Sequence, residues 1–196
     1  MRTDVVNQIR GMLKTFGILI KGIAGVSFEN RIQEIIDEGT AIAPPLQIQL
    51  DMLRMIKQKI DDLDELVLDH AYACQKCRIL MSIPGVGPMT AANFVLAVYD
   101  ADRFTKSKSV GAYFGLTPRR RQSGDMDYNG RISKRGDRVI RHQLYEAANS
   151  ILTRVKKPSS LQAWGLRIAK RSGMKKARIA VARKLAVIMH QMLQTG

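Results

Sequence analysis

Cysteine is scarce in this chain, with two residues in 196, Cys74 and Cys77. That is too few for a disulfide framework and suits a reducing compartment. No apolar run reaches the roughly 18 residues that a membrane-spanning helix needs, so no membrane partner is expected. The first residues hold no apolar core followed by a small-residue cleavage site, so secretion is not expected either. Acidic residues are the third shortage: 17 Asp and Glu stand against 32 Lys and Arg, a net charge of +15. The imbalance is local. Residues 1–82 hold 10 cations and 11 anions, whereas residues 83–196 hold 22 and 6. What is present is ordinary for a folded domain, 45% hydrophobic and 25% charged, which excludes a disordered tail. The length allows one domain, or one domain plus an extended helical arm. A cationic half of this size releases counterions when it meets a polyanion, so nucleic acid is the default partner.

The neutral part has helical periodicity. Val5, Ile9, Met12, Leu13, Phe16 and Leu19 predict an amphipathic helix over 4–21, ended by Gly22 and Gly25. A short helix is predicted from Glu29 to Glu38, stopped by Gly39 and Pro44–Pro45. Leu53, Ile56, Ile60, Leu63, Val67, His70, Cys74 and Cys77 then step by threes and fours, a heptad seam that predicts a coiled coil or a long helical hairpin. His70, Cys74 and Cys77 also resemble metal-ligand spacing, but no second Cys/His cluster closes a tetrahedral site. Asp61, Asp62, Asp64 and Glu65 point in different directions and are read as a solvated face rather than as metal ligands.

The basic part carries the chemistry. Ser82-Ile83-Pro84-Gly85-Val86-Gly87-Pro88-Met89-Thr90-Ala91 resembles a helix-hairpin-helix. Gly85 and Gly87 allow a tight turn, Pro88 suits a first helical position, and free amides with Thr90 would hold a backbone phosphate. Ser109-Val110-Gly111-Ala112-Tyr113-Phe114-Gly115-Leu116-Thr117-Pro118 reads as a short helix ended by Gly115 and Pro118. Arg119-Arg120-Arg121-Gln122-Ser123-Gly124 follows, then Gly130-Arg131-Ile132-Ser133-Lys134-Arg135-Gly136. Segments 119–123 and 130–133 are read as a short β-hairpin, with Asn129-Gly130 near one end of its loop. Asp137 would cap a helix from Arg138 to Thr153 with Val139, Ile140, Leu144, Ala147, Ala148 and Ile151 inward. Arg131, Lys134, Arg135, Arg138 and Arg141 would line the other side. Two further helices are predicted, one with Leu161, Trp164, Leu166 and Ile168, the next after Gly173 with Lys175, Lys176, Arg178, Arg183 and Lys184 giving cations to an outer face. Ser123 is the one nucleophile candidate in an electropositive loop. A serine hydroxyl needs a base or a metal to lose its proton and cations to hold a phosphate. Arg119, Arg120, Arg121 and Arg131 could supply the cations; Ser-Gly alone is commonly a turn.

Ile83-Pro84-Gly85-Val86-Gly87 with Thr90-Ala91, Arg103-Phe104, Tyr113-Phe114-Gly115-Leu116-Thr117-Pro118, Gln122-Ser123-Gly124, Arg131-Ile132-Ser133-Lys134-Arg135-Gly136 and Ala180-Val181-Ala182-Arg183-Lys184-Leu185 occur in an order that resembles the C-terminal half of the IS110 class of insertion-sequence transposases, its IS1111 branch included. Asn7-Gln8-Ile9-Arg10-Gly11-Met12-Leu13 is similar to the start of that family's coiled-coil region. The resemblance implies a DNA recombinase. A resolvase-like half bearing three Asp and one Glu holds divalent metal, expected as Mg²⁺, and Ser123 matches the serine that joins covalently to a DNA strand. It also implies DNA and an element-encoded structured RNA as partners, and homo-oligomers formed through the coiled coil. The resolvase-like half is not among these residues, so a complete active site is not expected from this polypeptide alone. No cofactor and no metal ligand is assigned within the chain.

The expected architecture is therefore mainly α: a helical coiled-coil arm over 1–80, then a compact helical domain over 81–196 with a helix-hairpin-helix and at most one short β-hairpin. The expected function is the DNA-binding part of a serine-using, metal-dependent, RNA-guided transposase in the prokaryotic cytoplasm, at the nucleoid. The alternative is a non-catalytic helix-hairpin-helix protein that binds DNA or RNA as an accessory or regulatory factor. Its nucleic-acid contacts would be Gly85, Gly87, Thr90, Arg119, Arg120, Arg121, Arg131, Lys134, Arg135, Arg138, Arg141, Lys175 and Lys176.

Overall fold

The computed structural model describes residues 1–123 and 126–196, without the side chains of Arg121, Met126, Asp127 and Asn129. Its architecture is mainly α, with one two-stranded sheet among the described residues. Packing divides the chain into two units, Met1–Leu66 and Val67–Gly196. Among the described residues no helix is long and apolar enough to cross a membrane.

In the first unit, α1 (Arg2–Thr15) and α2 (Val26–Asp37) pack with the early turns of α3 (Ala43–Ala73). Val5, Ile9 and Leu13 of α1 meet Phe28, Ile32 and Ile35 of α2 and Leu46, Leu50 and Leu53 of α3. The apolar stripe alone predicts that α1 continues to residue 21. It stops at Thr15 because the Gly17 N–H bonds the Lys14 carbonyl at 3.1 Å and the Ile18 N–H bonds the Leu13 carbonyl at 3.0 Å, the paired closure that caps a helix C-terminus. Pro44 and Pro45, read from sequence as a stop, lie in the first turn of α3, where missing N–H groups cost nothing.

The heptad-spaced residues do not share one continuous helix. α3 ends at Ala73, and Cys74 takes extended backbone (φ −76°, ψ 119°) as the N-cap of α4 (Gln75–Met81). Leu53 and Ile56 pack in the first core and Val67, Cys74 and Cys77 in the second, while Ile60 and Leu63 remain 38% and 61% exposed. Burial pushes the Cys77 thiol up to about 11, whereas the Cys77 backbone N–H holds the Cys74 thiol below its ordinary value.

The second unit is built around α9 (Met174–Thr195), whose Ala177, Val181, Ala182, Leu185, Ala186 and Met189 are fully buried. α9 packs against α4, α6 (Lys108–Tyr113), α7 (Arg138–Thr153) and α8 (Ser160–Ser172), and α5 (Pro88–Val98) packs against α4 and α7. Asp137 caps α7 by accepting from the Val139 and Ile140 N–H groups at 2.6 and 3.0 Å. Ile140, Leu144, Ala147, Ala148 and Ile151 form its buried face, but Val139 is 59% exposed, because it lies about 100° round the helix from Ile140. Buried His190 ties α9 to the segment before α6, its Nε2 lying 2.9 Å from the Ala101 carbonyl and its Nδ1 3.0 Å from Ser107 Oγ.

β1 (Pro118–Ser123) and β2 (Met126–Ile132) form an antiparallel hairpin. The second strand is thus longer and earlier than residues 130–133, and Asn129-Gly130 lies within it, away from the loop. The register shifts between Pro118 and Arg120, so that β2 has one residue more than β1 at this point. Gly130 lies at this bulge, within β2.

Candidate nucleic-acid interface

The hairpin is anchored by backbone. α6 ends at Tyr113 with Phe114 as its C-cap, and the chain turns through Gly115 (φ +68°) into β1. After β2 it returns beside the same turn. The Ser133 N–H bonds the Thr117 carbonyl at 2.8 Å, and the Lys134 N–H bonds the Gly115 carbonyl at 3.1 Å. Arg119 Nη2 donates to the Ser133 carbonyl at 3.2 Å, so this arginine braces the strand ends as well as contributing charge. Arg103 lies 4.7 Å from the Phe104 ring centre and 4.8 Å from that of Tyr113, a cation–π contact to both rings.

Concavities flank the hairpin. One, of about 480 Å³, is lined by Thr117, Arg119, Arg120, Ser133 and Arg135, with Ala112 and Pro118. Another, of about 630 Å³, lies between β2 and α9. Arg131, Lys134, Lys176 and Arg183 give it cations, Leu116, Pro118, Ile132, Ile179 and Ala180 give it an apolar lining, and Tyr128 stands beside it, 66% exposed. Cations set this closely raise the local positive potential, which attracts anions such as phosphate and is weakened by salt.

The residues singled out in the sequence fall into separate places. Arg119, Arg120 and Arg135 share the first concavity; Arg131, Lys134 and Lys176 share the second. Ser123 is exposed at the end of β1, opposite Met126. The Arg121 side chain and Gly124 of Gln-Ser-Gly lie outside the described residues. Lys175 is exposed in the first turn of α9, and Arg138 is exposed at the start of α7. Arg141 differs from its neighbours. Its Nη1 faces the carbonyls of Phe114, Arg135, Gly136 and Asp137 at 3.2–3.3 Å, so its charge is spent on the hairpin root.

Gly85 and Gly87 occupy the α4–α5 turn, Thr90 lies in the first turn of α5, and none of the three lines either concavity. Gly87 is the N-cap of α5 and Pro88 its first residue, the arrangement that leaves amides at the helix start. Gly85 (φ +93°) instead presses on α7: a Cβ there would stand 2.9 Å from Ile151 Cγ1 and 3.2 Å from the Ala147 carbonyl oxygen. Gly85→Ala is therefore expected to destabilise by about 2 kcal/mol through crowding and strain, visible as an earlier urea midpoint. An unchanged midpoint would mean that the turn is free of α7.

Tyr128 and Ile179 line the second concavity without being singled out in the sequence, whereas Arg183 is one of the outer-face cations of its helix. Lys176, Ile179, Ala180 and Arg183 follow an i, i+3, i+4, i+7 stripe, a detectable signal, but nothing local says that the stripe faces β2.

Residues 77–164 match the Transposase IS116/IS110/IS902 family. The chain is 32% identical over 197 residues to the transposase for insertion sequence element IS1111A of Coxiella burnetii, covering 98% of this chain and 54% of that protein. It is 28% identical over 205 residues to the putative transposase y4pF/y4sB of Sinorhizobium fredii, covering 100% and 51%. It is 27% identical over 121 residues to the pilin gene-inverting protein of Moraxella bovis, covering 61% and 37%. The chain spans about half the length of the first two relatives.

Proposed function

We propose, for a chain that sequence similarity relates to the Transposase IS116/IS110/IS902 family, that it is the DNA-holding, serine-bearing part of a transposase. The observation that carries this reading is Ser123, exposed at the loop end of a hairpin that also carries Arg119, Arg120 and Arg131, with Lys134 at its root. In the proposed reaction, cations of the hairpin hold a DNA backbone phosphate. Serine Oγ gives up its proton and bonds to phosphorus while a phosphorus–sugar oxygen bond breaks, and the departing alkoxide takes a proton. Attack by the hydroxyl of another strand then restores the diester and frees the serine, so the bond energy is conserved.

The resemblance implies a divalent metal. Among the described residues no group of three or more His, Cys, Asp or Glu side chains converges, so these residues do not fit such an ion. No step of the reading is assigned to a metal held by this chain; Mg²⁺ would belong to carboxylates of a resolvase-like half. The α4–α5 turn is proposed as a helix-hairpin-helix contact to backbone phosphate. Exposed Ile60, Leu63 and Leu66 on α3 are proposed to pair with a second copy, and a structured guide RNA is proposed as a further partner, in the cytoplasm.

The test supplies the metal-bearing half of a relative, Mg²⁺ and labelled donor DNA, and follows both strand joining and the covalent protein–DNA adduct. Ser123→Ala is expected to lose the adduct and to reduce joining about a thousandfold or more. Equal activity in both proteins would remove the catalytic role and leave a DNA- or RNA-binding accessory protein as the better reading.

A further inference from the structure

The groove between β2 and α9 differs in kind from a phosphate clamp. A protein that holds only duplex backbone needs cations and amides, because the bases are stacked out of reach. This groove adds an apolar floor made by Ile132, Ile179 and Ala180, and a tyrosine left 66% exposed at its edge. Leaving an aromatic and an apolar trough open to water beside four cations is costly for a phosphate site and useful for a strand whose bases are splayed out.

We infer that this groove is a binding site for unpaired single-stranded DNA, with Tyr128 as the stacking platform and Arg131, Lys134, Lys176 and Arg183 on the backbone. The inference rests on the transposase reading and deepens it by assigning the strand state. The volume of about 630 Å³ accommodates more than one base and its sugar. Charge complementarity selects a polyphosphate over an apolar peptide. The floor favours DNA over RNA: its lining side chains include no carboxylate or amide, and only the Tyr128 hydroxyl at the edge can accept, so a 2′-hydroxyl laid on Ile132, Ile179 and Ala180 would lose water without a partner there, whereas a deoxyribose edge or a thymine methyl gains by burial. β-strand alternation places Ser123 and Tyr128 on the same face of the hairpin, since Ser123 opposes Met126 and Tyr128 lies two residues further along β2. An unstacked segment held at Tyr128 is thereby led toward the hydroxyl that would attack its backbone.

The experiment measures fluorescence anisotropy of the whole chain with three labelled probes at matched salt: a thymidine homopolymer, a uridine homopolymer of equal length, and a mixed-sequence duplex. The deoxy homopolymer is expected to bind more tightly than the ribo homopolymer. Tyr128→Ala is expected to weaken it about tenfold, with duplex affinity and the salt slope unchanged, while Tyr128→Phe retains wild-type affinity. Ile179→Glu, which sets a carboxylate on the floor, is expected to weaken the homopolymer by at least as much. The inference is overturned if Tyr128→Ala weakens duplex and single strand alike, if it weakens neither, or if the ribo homopolymer binds more tightly. Salt-sensitive duplex binding without single-strand binding would sink this inference and leave the transposase reading standing; no binding to any probe would sink both.

Discussion

Gly115→Ala is expected to destabilise the second unit by more than about 4 kcal/mol, enough to unfold a domain of ordinary stability. The reason is a backbone crossing. A Cβ on Gly115 would lie 2.0 Å from the Arg135 carbonyl oxygen and 2.6 Å from the Arg135 nitrogen. From the other side, a Cβ on Gly136 would lie 2.0 Å from the Tyr113 carbonyl oxygen. The obstructing atoms are main chain and cannot swing aside as a side-chain tip would. Both glycines also hold positive φ, +68° and +84°, where an alanine is strained whatever the space. Separation would break the Lys134–Gly115 and Ser133–Thr117 bonds, which hold the hairpin root at 3.1 and 2.8 Å. Urea unfolding followed by circular dichroism measures the loss. Gly11→Ala supplies a control of opposite sign: Gly11 lies within α1 with nothing within 4 Å of its would-be Cβ, so alanine there should stabilise by about 0.5–1 kcal/mol. A Gly115→Ala protein that unfolds at the wild-type midpoint would refute the crossing.

The helices of the second unit were the most legible elements, because their signals are local. Asp137 ahead of a 3.6-residue apolar pattern announces α7, and Gly173 ahead of another announces α9. The hairpin was half legible. Segments 119–123 and 130–133 suggest two strands, but Asn129-Gly130 reads as a turn and instead lies within β2, where the register shifts. Illegible altogether was anything decided by residues distant in sequence. The meeting of Tyr128 with Ile179 and Arg183 depends on how the hairpin leans on α9. Gly85 has a turn signature, but Ile151 explains its lack of a side chain. In the neutral part, heptad spacing survives a break at Cys74 because periodicity records which residues are apolar, not whether the backbone between them stays helical.

Arg141→Met is expected to cost about 3 kcal/mol in stability while leaving the salt dependence of nucleic-acid binding unchanged in the molecules that remain folded. Composition alone cannot separate Arg141 from Arg131 or Arg138, all cations of one basic stretch. Geometry separates them. Arg141 Nη1 shares its two hydrogens among the carbonyls of Phe114, Arg135, Gly136 and Asp137, all within 3.3 Å. Bonds from a charged donor are worth more than neutral ones, and carbonyls left partly buried without that donor add a desolvation cost. Methionine keeps the aliphatic stem and removes the donor, so the loss reports the bonds rather than a cavity. Arg141→Lys should recover part of the stability, since an ammonium supplies donors without the planar fork. Arg131 is exposed beside the groove, and Arg131→Gln should do the reverse: stability within about 0.5 kcal/mol of wild type, and a binding slope against salt reduced by about one. Stability is read from urea midpoints and the slope from anisotropy titrations across salt. If Arg141→Met left the midpoint alone and flattened the slope, Arg141 would be a phosphate ligand and the hairpin root would be held by its backbone alone.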